Sequence, residues 1–403
     1  MITVADVQKA AQNVDKVASQ TPFAHAPILS NLSGYNVYLK KENLQRTGSF
    51  KLRGAFSKIS NLVASGNIKE VVASSAGNHA QGVAFSASHY GLKATIVMPE
   101  STPLIKVQGV KRFGGDVILH GANYNEAYAF AVTYAQEREA SFLHPFADDE
   151  VIAGQGTVAL EMLSEVKDLD YIIAPVGGGG LISGIAVAAK GINPNIKVIG
   201  VAAEGAPAMK QSFDAKKAID TISVRTIADG IAVRDTSEVT LKYLLEYVDD
   251  LLLVSEDEIA SAILFLLENQ KILVEGAGSV GVAALIHHKF DFPKDSKVGI
   301  VVSGGNIDVT MLSLIIEKGL VKSARKMKLI VTLVDKPGAL MRFTETLKSV
   351  GANIVHIGYD RTSIDLEFGD AHVSVALETK GEEHQEEVRA KLKEAGFKFS
   401  ESL

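Results

Sequence analysis

The sequence predicts an α/β protein whose parallel sheet is covered by helices, followed by a smaller ferredoxin-like α+β unit. Over roughly the first three hundred residues, short apolar segments alternate with helical segments, which is typical of a parallel sheet. The composition changes near Arg325, because 25 of the last 79 residues are charged, about 32%, against 63 of the preceding 324, about 19%. This change predicts one unit over residues 1–320 and a second over residues 325–403.

Seven apolar segments are candidate strands of the large unit. They lie at 70–74, 94–98, 117–120, 171–176, 197–202, 251–254 and 296–302. Helical patterns occupy 49–64, 78–90, 256–270 and 279–288. In open α/β sheets ligands bind beyond the carboxyl ends of the strands, and the motifs described below mostly follow such ends.

The C-terminal unit has its own regular order of elements. A strand at 328–334 leads through the turn Asp335-Lys336-Pro337-Gly338 into a helix at 339–350. Strands at 353–360 and 371–378, a helix at 383–394 and a short end follow. The order β-α-β-β-α-β is the ferredoxin-like arrangement.

Composition and charge exclude several classes of function. The 403 residues carry 41 basic and 47 acidic side chains, a net charge of −6, so neither nucleic acid nor an anionic membrane is expected as a partner. Cysteine is absent, which excludes disulfides, thiolate zinc sites, cysteine nucleophiles and cysteine-held iron–sulfur clusters. The N-terminus lacks the apolar core of a signal peptide, and Pro175 and glycines interrupt the charge-free segment 171–189, so a cytoplasmic protein without a membrane span is expected.

The first motif that contains a candidate catalytic residue is Thr47-Gly48-Ser49-Phe50-Lys51-Leu52-Arg53-Gly54-Ala55. Ser49 is expected to cap the helix that begins here, which places Lys51 in its first turn. The positive end of the helix dipole and the neighbouring Phe50 both favour the uncharged amine of Lys51. An uncharged lysine is what a Schiff base with a carbonyl cofactor requires, and an ordinary solvated lysine is the alternative.

Two further motifs join a strand end to a helix start. Ser74-Ser75-Ala76-Gly77-Asn78-His79 presents backbone N–H groups that can bind a carboxylate, and Asn78 either reaches a ring hydroxyl or caps the helix. Pro175-Val176-Gly177-Gly178-Gly179-Gly180-Leu181 has four consecutive glycines that let the backbone wrap closely around a phosphate. No Lys-Ser/Thr pair follows, so the phosphate of a cofactor is favoured over that of a nucleotide.

The last strand of the large unit also ends in a candidate motif, Val302-Ser303-Gly304-Gly305-Asn306. Ser303 either offers a neutral hydroxyl to a ligand or makes only a local hydrogen bond within the turn.

A competing pattern is Gly276-Ala277-Gly278-Ser279-Val280-Gly281, which matches the dinucleotide spacing GxGxxG and suggests a nicotinamide enzyme. It lies late in the chain after a short strand rather than in the first βαβ unit, so this interpretation is not favoured.

Together, the lysine motif, the Asn78 loop, the tetraglycine loop and the late serine resemble the pyridoxal-phosphate enzymes of fold type II, which have the tryptophan synthase β-like fold. Among them they are most similar to the threonine dehydratase (threonine ammonia-lyase) family. The resemblance covers nearly all of residues 1–320 and implies a two-lobed catalytic domain, with a smaller lobe at about 45–145 inserted in the larger one. The C-terminal unit resembles an ACT domain, a small amino-acid-sensing module, through Asp335-Lys336-Pro337-Gly338-Ala339-Leu340 and Gly351-Ala352-Asn353-Ile354.

The resemblance implies a role for each motif. Lys51, beside Phe50, would bind pyridoxal phosphate covalently, while Asn78 would contact the ring oxygen and Ser303 the ring nitrogen. Backbone N–H groups would hold the phosphate at Gly177, Gly178, Gly179, Gly180 and Leu181. The substrate carboxylate would bind to the loop formed by Ser75, Ala76, Gly77, Asn78 and His79.

The implied reaction is the dehydrative deamination of L-threonine to 2-oxobutanoate and ammonia, with Lys51 as the general base and L-serine as a side substrate. A serine at the ring nitrogen leaves the ring a weaker electron sink, which suits β-elimination. A serine racemase is the alternative within the fold, but those enzymes carry a serine where this chain has Ala76. A sensor without catalysis is the other alternative, and the intact Lys51, Asn78 and Ser303 disfavour it.

The resemblance also bears on metals, effectors and assembly. The divalent metal site of the racemases would fall on Glu204, Ala208 and Lys210, and the positive charge of Lys210 disfavours it, so no metal residues are expected. An amino-acid effector, isoleucine or valine, is expected at Gly338, Asn353 and Ile354, with a ligand-free dimerisation module as the alternative. A homodimer or homotetramer is expected.

Overall fold

The computed structural model describes residues 1–66, 68–364 and 366–401. The chain divides into two compact units, Met1–Asp308 and Val309–Leu403. The boundary lies before the predicted position at 320 because the helix Val309–Lys322 groups with the second unit, where it contacts the strand Lys326–Val334.

The helices and strands of the first unit alternate along most of its length. The helices are α1 (Val4–Val14), α2 (Pro27–Ser33), α3 (Lys51–Ser65), α4 (Asn78–His89), α5 (Leu104–Arg112), α6 (Tyr124–Glu137), α7 (Asp149–Glu165), α8 (Gly180–Ile192), α9 (Ala208–Ala215), α10 (Glu238–Tyr247), α11 (Glu256–Phe265) and α12 (Gly276–Ile286). The strands are β1 (Phe23–His25), β2 (Asn36–Lys41), β3 (Glu70–Ser74), β4 (Lys93–Met98), β5 (Asp116–Leu119), β6 (Ser141–Phe142), β7 (Tyr171–Pro175), β8 (Lys197–Ala203), β9 (Asp250–Val254) and β10 (Lys297–Val302). Short 3-10 turns lie at Glu42–Leu44 and Asp229–Ile231, and a π-helical turn at Leu266–Gln270 continues α11.

Two sheets organise this unit. A six-stranded sheet has the order β1-β2-β10-β7-β8-β9 and is parallel except for β1, which pairs antiparallel with β2. A four-stranded parallel sheet has the order β5-β4-β3-β6. Its strands all lie in the sequence between β2 and β7, so the smaller sheet is an insertion in the larger one.

Each sheet has its own core. The larger core is built from α7, α8 and α10 against the six-stranded sheet, and most of α8 is buried. The apolar strands β7 and β8 are buried along nearly their whole length, as expected for parallel strands covered on both faces. The smaller core gathers apolar residues of α3, α4 and α5 against β3 and β4.

The predicted strands of the large unit are confirmed to within a residue or so at each end. The strands β1, β2 and β6 were missed. In β2 the sequence contains Lys40 and Lys41, and the fully buried Lys40 pairs with Glu161 and donates to Thr21 O at 2.6 Å. The helix predicted at 256–270 ends as a regular α-helix at Phe265, and the helix predicted at 279–288 begins earlier, at Gly276. The segment 171–189 is β7, a glycine turn and most of α8, as predicted; among the described residues, no helix combines the length and apolar character that a membrane span requires.

The second unit is the predicted ferredoxin-like arrangement preceded by one helix. Its elements are α13 (Val309–Lys322), β11 (Lys326–Val334), α14 (Ala339–Ser349), β12 (Asn353–Asp360), β13 (Asp370–Glu378), α15 (Glu382–Glu394) and β14 (Lys398–Glu401). The antiparallel sheet has the order β12-β13-β11-β14. Phe343 and Leu347 of α14 and Val388 and Leu392 of α15 pack on one face of it.

Candidate active site

A cavity of about 900 Å³ lies in the first unit, beyond the carboxyl ends of β3, β7 and β10. Ligands of open α/β sheets bind at this position, outside the carboxyl ends of the strands. The structure brings to this one cavity all the residues of the first unit that the sequence proposed for cofactor and substrate: Phe50, Lys51, Ser75, Ala76, Gly77, Asn78, His79, Gly177, Gly178, Gly179, Gly180, Leu181 and Ser303.

Lys51 is the first residue of α3 and lies partly buried in the wall of this cavity. Its Nζ donates a hydrogen bond to the carbonyl oxygen of Pro145 at 2.9 Å and lies 5.3 Å from the ring centre of Phe50. Burial lowers the pKa of the amine to about 8, against the opposing effect of the Glu275 carboxylate. About a tenth of the amine is therefore unprotonated at pH 7, far more than for a lysine of ordinary pKa, and this is the form that a carbonyl-binding lysine requires.

The predicted cap of α3 is wrong. The N-cap position belongs to Phe50, and the hydroxyl of Ser49 is buried without a hydrogen-bond partner. The reason is a tertiary contact, since the turn 48–50 pairs with the turn 303–305: Phe50 N–H donates to Ser303 O at 3.1 Å, and Gly305 N–H donates to Gly48 O at 2.9 Å. Lys51 is thus fixed by a distant turn rather than by a local cap.

The loop after β3 presents the start of α4 to the cavity. Gly77 occupies the N-cap position, so Asn78 does not cap the helix. Ser75 Oγ accepts the Gly77 N–H at 3.1 Å, which shapes the turn. The side chain of Asn78 instead donates through Nδ2 to Glu275 Oε1 at 2.7 Å and accepts through Oδ1 from Asn306 Nδ2 at 2.7 Å.

Two histidines face the lysine, and both are neutral. His79 Nε2 lies 3.1 Å from the carbonyl oxygen of Leu143, which can only accept, so Nε2 carries the proton and Nδ1 is left as an unpartnered acceptor. Burial and the nearby Lys51 charge lower the pKa of His79 to about 3 and that of His144 to about 4. Lys51 is therefore the basic group of this cluster near neutral pH.

The tetraglycine turn is shaped for a ligand that approaches the backbone closely. A Cβ added at Gly177 would lie 2.7 Å from Ile231 Cα, and one added at Gly178 would overlap the ring of Phe146. Gly179 has a φ of +87°, and Gly180 begins α8. The first N–H groups of α8 have no partner within the helix, so the turn offers donors and a favourable dipole to an anion such as a phosphate.

The pattern GxGxxG at 276–281 serves close packing instead of dinucleotide binding. A Cβ at Gly276 would lie 2.7 Å from Ala228 Cα, one at Gly278 would lie 2.7 Å from Gly304 O, and one at Gly281 would lie 2.7 Å from Ile300 Cγ2. These three glycines let α12 approach the neighbouring segments.

Sequence reasoning missed Glu275, which lines the cavity and is only 3% exposed. It also missed Asn306, whose backbone N–H donates to Glu275 Oε2 at 3.2 Å, and the ion pair of Lys106 with Asp229 at the cavity wall. The available signal for Glu275 was weak, because an acidic residue directly before a helix start usually stabilises only the helix dipole.

The residues outside this cavity are placed as follows. Lys210 Nζ pairs with Asp214 at 2.6 Å on α9. In the second unit, Gly338 is the N-cap of α14 with a φ of +88°. Asn353 begins β12 and its Nδ2 donates to Glu378 Oε2 at 2.7 Å, while Ile354 packs against the core of that unit.

The fold and the cavity define a class of protein. A lysine of lowered pKa at one helix start and a glycine cradle for an anion at another fit an enzyme that binds a phosphorylated carbonyl cofactor through its lysine. A profile of pyridoxal-phosphate dependent enzymes matches residues 14–304. The chain belongs to this family of pyridoxal-phosphate dependent enzymes.

Individual relatives and solved structures show which enzymes of the family the chain is similar to. The chain is 46% identical over 397 residues to an L-threonine ammonia-lyase of Thermotoga maritima, covering 98% of both chains. It is 44% identical to an L-threonine ammonia-lyase of Geobacter sulfurreducens, again over 98% of both. The structure of processed threonine deaminase isoform 2 from Solanum lycopersicum matches with a TM-score of 0.75 at 38% identity, covering 78% of this chain and 86% of that one. Maize serine racemase matches with a TM-score of 0.74 at 35% identity, covering 79% and 98%.

Proposed function

We propose that the protein is an L-threonine ammonia-lyase that converts L-threonine to 2-oxobutanoate and ammonia, with L-serine giving pyruvate as a side reaction. The observation that carries the proposal is the amine of Lys51, with a pKa lowered to about 8 inside a cavity that also holds the tetraglycine turn. The full-length similarity to L-threonine ammonia-lyases supports the choice of substrate.

The residues of the cavity divide the binding of cofactor and substrate between them. Lys51 would hold the carbonyl carbon, the N–H groups of Gly177 to Leu181 would hold the phosphate, and Asn78 and Ser303 would meet the ring oxygen and ring nitrogen. When bound, pyridoxal phosphate supplies an electron sink for the bond that breaks at the substrate α-carbon. The N–H groups at the start of α4 would bind the substrate carboxylate.

In the proposed reaction, the proton acceptor is Lys51. When it is not bonded to the cofactor, the amine of Lys51, with its lowered pKa, would be the base that removes the substrate α-proton near neutral pH. The neutral His79 and His144 do not compete for that proton. The substrate hydroxyl would take up one proton and leave as water, so that the removal of the α-proton is balanced. The resulting enamine would tautomerise to an imine, and water would hydrolyse that imine to 2-oxobutanoate and ammonia.

Serine racemase is the second candidate because its solved structures have the same fold. Racemisation needs an acid on the opposite face of the substrate, and position 76 is an alanine without a hydroxyl. Dehydration is therefore the favoured reaction.

The decisive experiment compares the wild type with Lys51→Ala. The wild type is expected to release 2-oxobutanoate from L-threonine, to be yellow, and to carry the borohydride-reduced cofactor on Lys51. Lys51→Ala is expected to lose at least about a thousandfold in rate. Lys58→Ala is the matched control, because Lys58 lies on the same helix but pairs with Asp148 and Glu150. Near wild-type turnover by Lys51→Ala contradicts the assignment, and accumulation of D-serine from L-serine selects the racemase.

For the second unit we propose an ACT-like regulatory role with isoleucine or valine as the effector near Gly338, Asn353 and Ile354. The ferredoxin-like order of its strands supports this regulatory role. We also expect the protein to be a cytoplasmic homodimer or homotetramer. Calorimetric titration of the full-length protein with each amino acid should give heat that Asn353→Ala abolishes and that Ser349→Ala keeps, because Ser349 only bonds within its own helix. No heat with either amino acid contradicts the regulatory role, and light scattering gives the number of subunits.

A further inference from the structure

Glu275 is a buried carboxyl in the wall of the cavity. The proposed reaction assigns it no role. It occupies the N-cap of α12, yet its side chain does not cap that helix. Both oxygens are used elsewhere: Oε1 accepts from Asn78 Nδ2 at 2.7 Å and Oε2 accepts from the backbone N–H of Asn306 at 3.2 Å. The carboxyl therefore reaches across the cavity wall to α4.

Two glycines from other segments leave room for this carboxyl. A Cβ added at Gly304 would overlap Glu275 Oε1, and one added at Gly230 would lie 3.2 Å from the same oxygen. Gly304 of the 303–306 motif thus has a structural explanation, since the chain at this residue passes directly against Glu275. A carboxyl enclosed in this way has a fixed position.

The consequence for Asn78 is a defined orientation of its amide. Asn306 Nδ2 donates to Asn78 Oδ1 at 2.7 Å, and Glu275 accepts from Asn78 Nδ2. A carboxylate can only accept, so it specifies which end of the Asn78 amide is the nitrogen. One N–H of that nitrogen is used by Glu275, and the other remains available to an acceptor in the cavity.

The charge of Glu275 also acts on Lys51. Its carboxylate opposes the lowering of the pKa of Lys51 that burial causes. Burial raises the pKa of Glu275 itself to about 7, against the hydrogen bond from Asn78. Asp229 and Lys106 are the other charged groups that act on Glu275, and the titratable groups that face Lys51 are the neutral His79 and His144.

We propose that Glu275 is a positioning residue, which turns the Asn78 amide so that an N–H faces the ring oxygen of the cofactor. The inference rests on pyridoxal phosphate as the cofactor and not on threonine as the substrate. Hydrogen bonds to charged groups are strong, so loss of this charge should be visible in cofactor binding itself.

The test uses Glu275→Gln in the full-length protein, with measurements made without substrate. Titration of the cofactor-free protein with pyridoxal phosphate, followed by visible absorbance, should show a Kd raised roughly 10- to 100-fold. The visible absorbance of the loaded protein should titrate about one pH unit lower, because a negative charge that favours the protonated form is gone. With substrate, kcat should fall while KM changes little.

Three further variants make the result interpretable. Glu258→Gln is the matched control, since Glu258 bonds Ser255 N–H and pairs with Lys289 away from the cavity, and it should change neither readout. Asn306→Ala keeps the carboxylate but frees Asn78 Oδ1, so it should weaken cofactor binding without moving the titration. Glu275→Asp keeps the charge with a shorter reach and should do the same.

The outcomes separate a positioning role from simple packing. Wild-type Kd and titration midpoint in Glu275→Gln, with only a lower melting temperature, overturn the proposal. If Glu275→Gln does not fold, wild-type cofactor affinity in both Asn306→Ala and Glu275→Asp overturns it instead. A protein that binds the cofactor as described but does not deaminate threonine contradicts the proposed function and leaves this inference intact.

Discussion

The backbone N–H of Phe50 donates to the carbonyl oxygen of Ser303 at 3.1 Å, so the residue before Lys51 is bonded to the residue proposed at the ring nitrogen. The bridge between Ser49 and Gly304 and the bond from Gly305 to Gly48 extend this contact into a short antiparallel pairing. The two groups expected at opposite ends of the cofactor ring are therefore held at a fixed separation by the main chain.

Gly48→Ala should disrupt this pairing. Gly48 has a φ of +75°, and an added Cβ would overlap the side chain of Asn306. We expect about 2–4 kcal/mol lower stability in urea unfolding and less cofactor bound per chain. Gly34→Ala is the matched control, because Gly34 has a φ of +76° with nothing within 4 Å and should lose only about 1–2 kcal/mol and no cofactor. Equal losses in both variants would show that the contact with Asn306 is unimportant.

Gly178→Ala should weaken cofactor binding with little loss of fold. The added methyl would overlap the Phe146 ring and push the glycine turn away from its ligand. Overpacking of this kind costs about 1–3 kcal/mol, which corresponds to roughly a 10- to 100-fold higher Kd for pyridoxal phosphate. Gly109→Ala, within α5 and 3.4 Å from the nearest side-chain atom, should keep the wild-type Kd in the same absorbance titration. An unchanged Kd in Gly178→Ala would remove this turn from the cofactor site.

Arg53→Met should destabilise the first unit strongly. The fully buried Arg53 guanidinium binds Glu42 through two nitrogens, each at 2.8 Å, and Glu161 Oε1 at 2.6 Å. Removing it leaves the buried Glu42 without its ionic partner and Glu161 with Lys40 alone, which costs about 3–5 kcal/mol in denaturant unfolding. Lys210→Met breaks the more exposed pair with Asp214 and should cost less than about 0.5 kcal/mol. If the double variant Arg53→Met with Glu42→Gln regains part of the lost stability, the loss is due to the unpaired Glu42 carboxylate.

Lys51→Met should stabilise the cofactor-free protein in a pH-dependent way. The amine has a pKa of about 8 in the folded chain and 10.5 ordinarily, so the unfolded chain binds more protons between these values. Stability of the cofactor-free wild type should therefore rise as the pH increases from about 8 to about 10.5. Below pH 8 the variant should be more stable by about 1–3 kcal/mol, and the difference should shrink toward pH 10.5.

Lys58→Met is the control for this pH effect, because the pKa of Lys58 is shifted in the opposite direction to that of Lys51. Burial lowers the pKa of Lys58, but Glu150 and Asp148 more than reverse this, so its pKa is raised. The variant should lose stability below pH 10.5, where the wild-type ion pairs are intact. If unfolding midpoints across this pH range show the same trend for both variants, the buried amine of Lys51 is not the cause.

The sequence predicted those residues of the cavity whose pattern is local. The turn from Gly177 to Leu181 was found because an apolar strand, a glycine run and a helix follow one another in the chain. Lys51 was found in the first turn of its helix for the same reason. The cap at Ser49 was predicted wrongly, because the turn it belongs to is fixed by residues such as Asn306, whose Nδ2 donates to Thr47 O, 259 positions away in the sequence.

The parts that were missed depend on contacts between distant segments. Lys40 reads as a surface residue until Glu161 is placed beside it, so β2 was not recognised. Glu275 reads as a helix-start acid until Asn78, 197 positions away in the sequence, is brought to it. The ferredoxin-like unit was predicted more completely because alternation along its strands and its short turns are both local features.

The pairing of the turn 48–50 with the turn 303–305 also determines when, during synthesis, the site can exist. A nascent chain that ends before Ser303 already contains Lys51, the loop after β3 and the glycine turn, but lacks the segment to which the lysine turn is bonded. Contacts between residues so far apart in sequence form late and slow folding. Acquisition of colour from pyridoxal phosphate on the ribosome would therefore mark completion of the first unit.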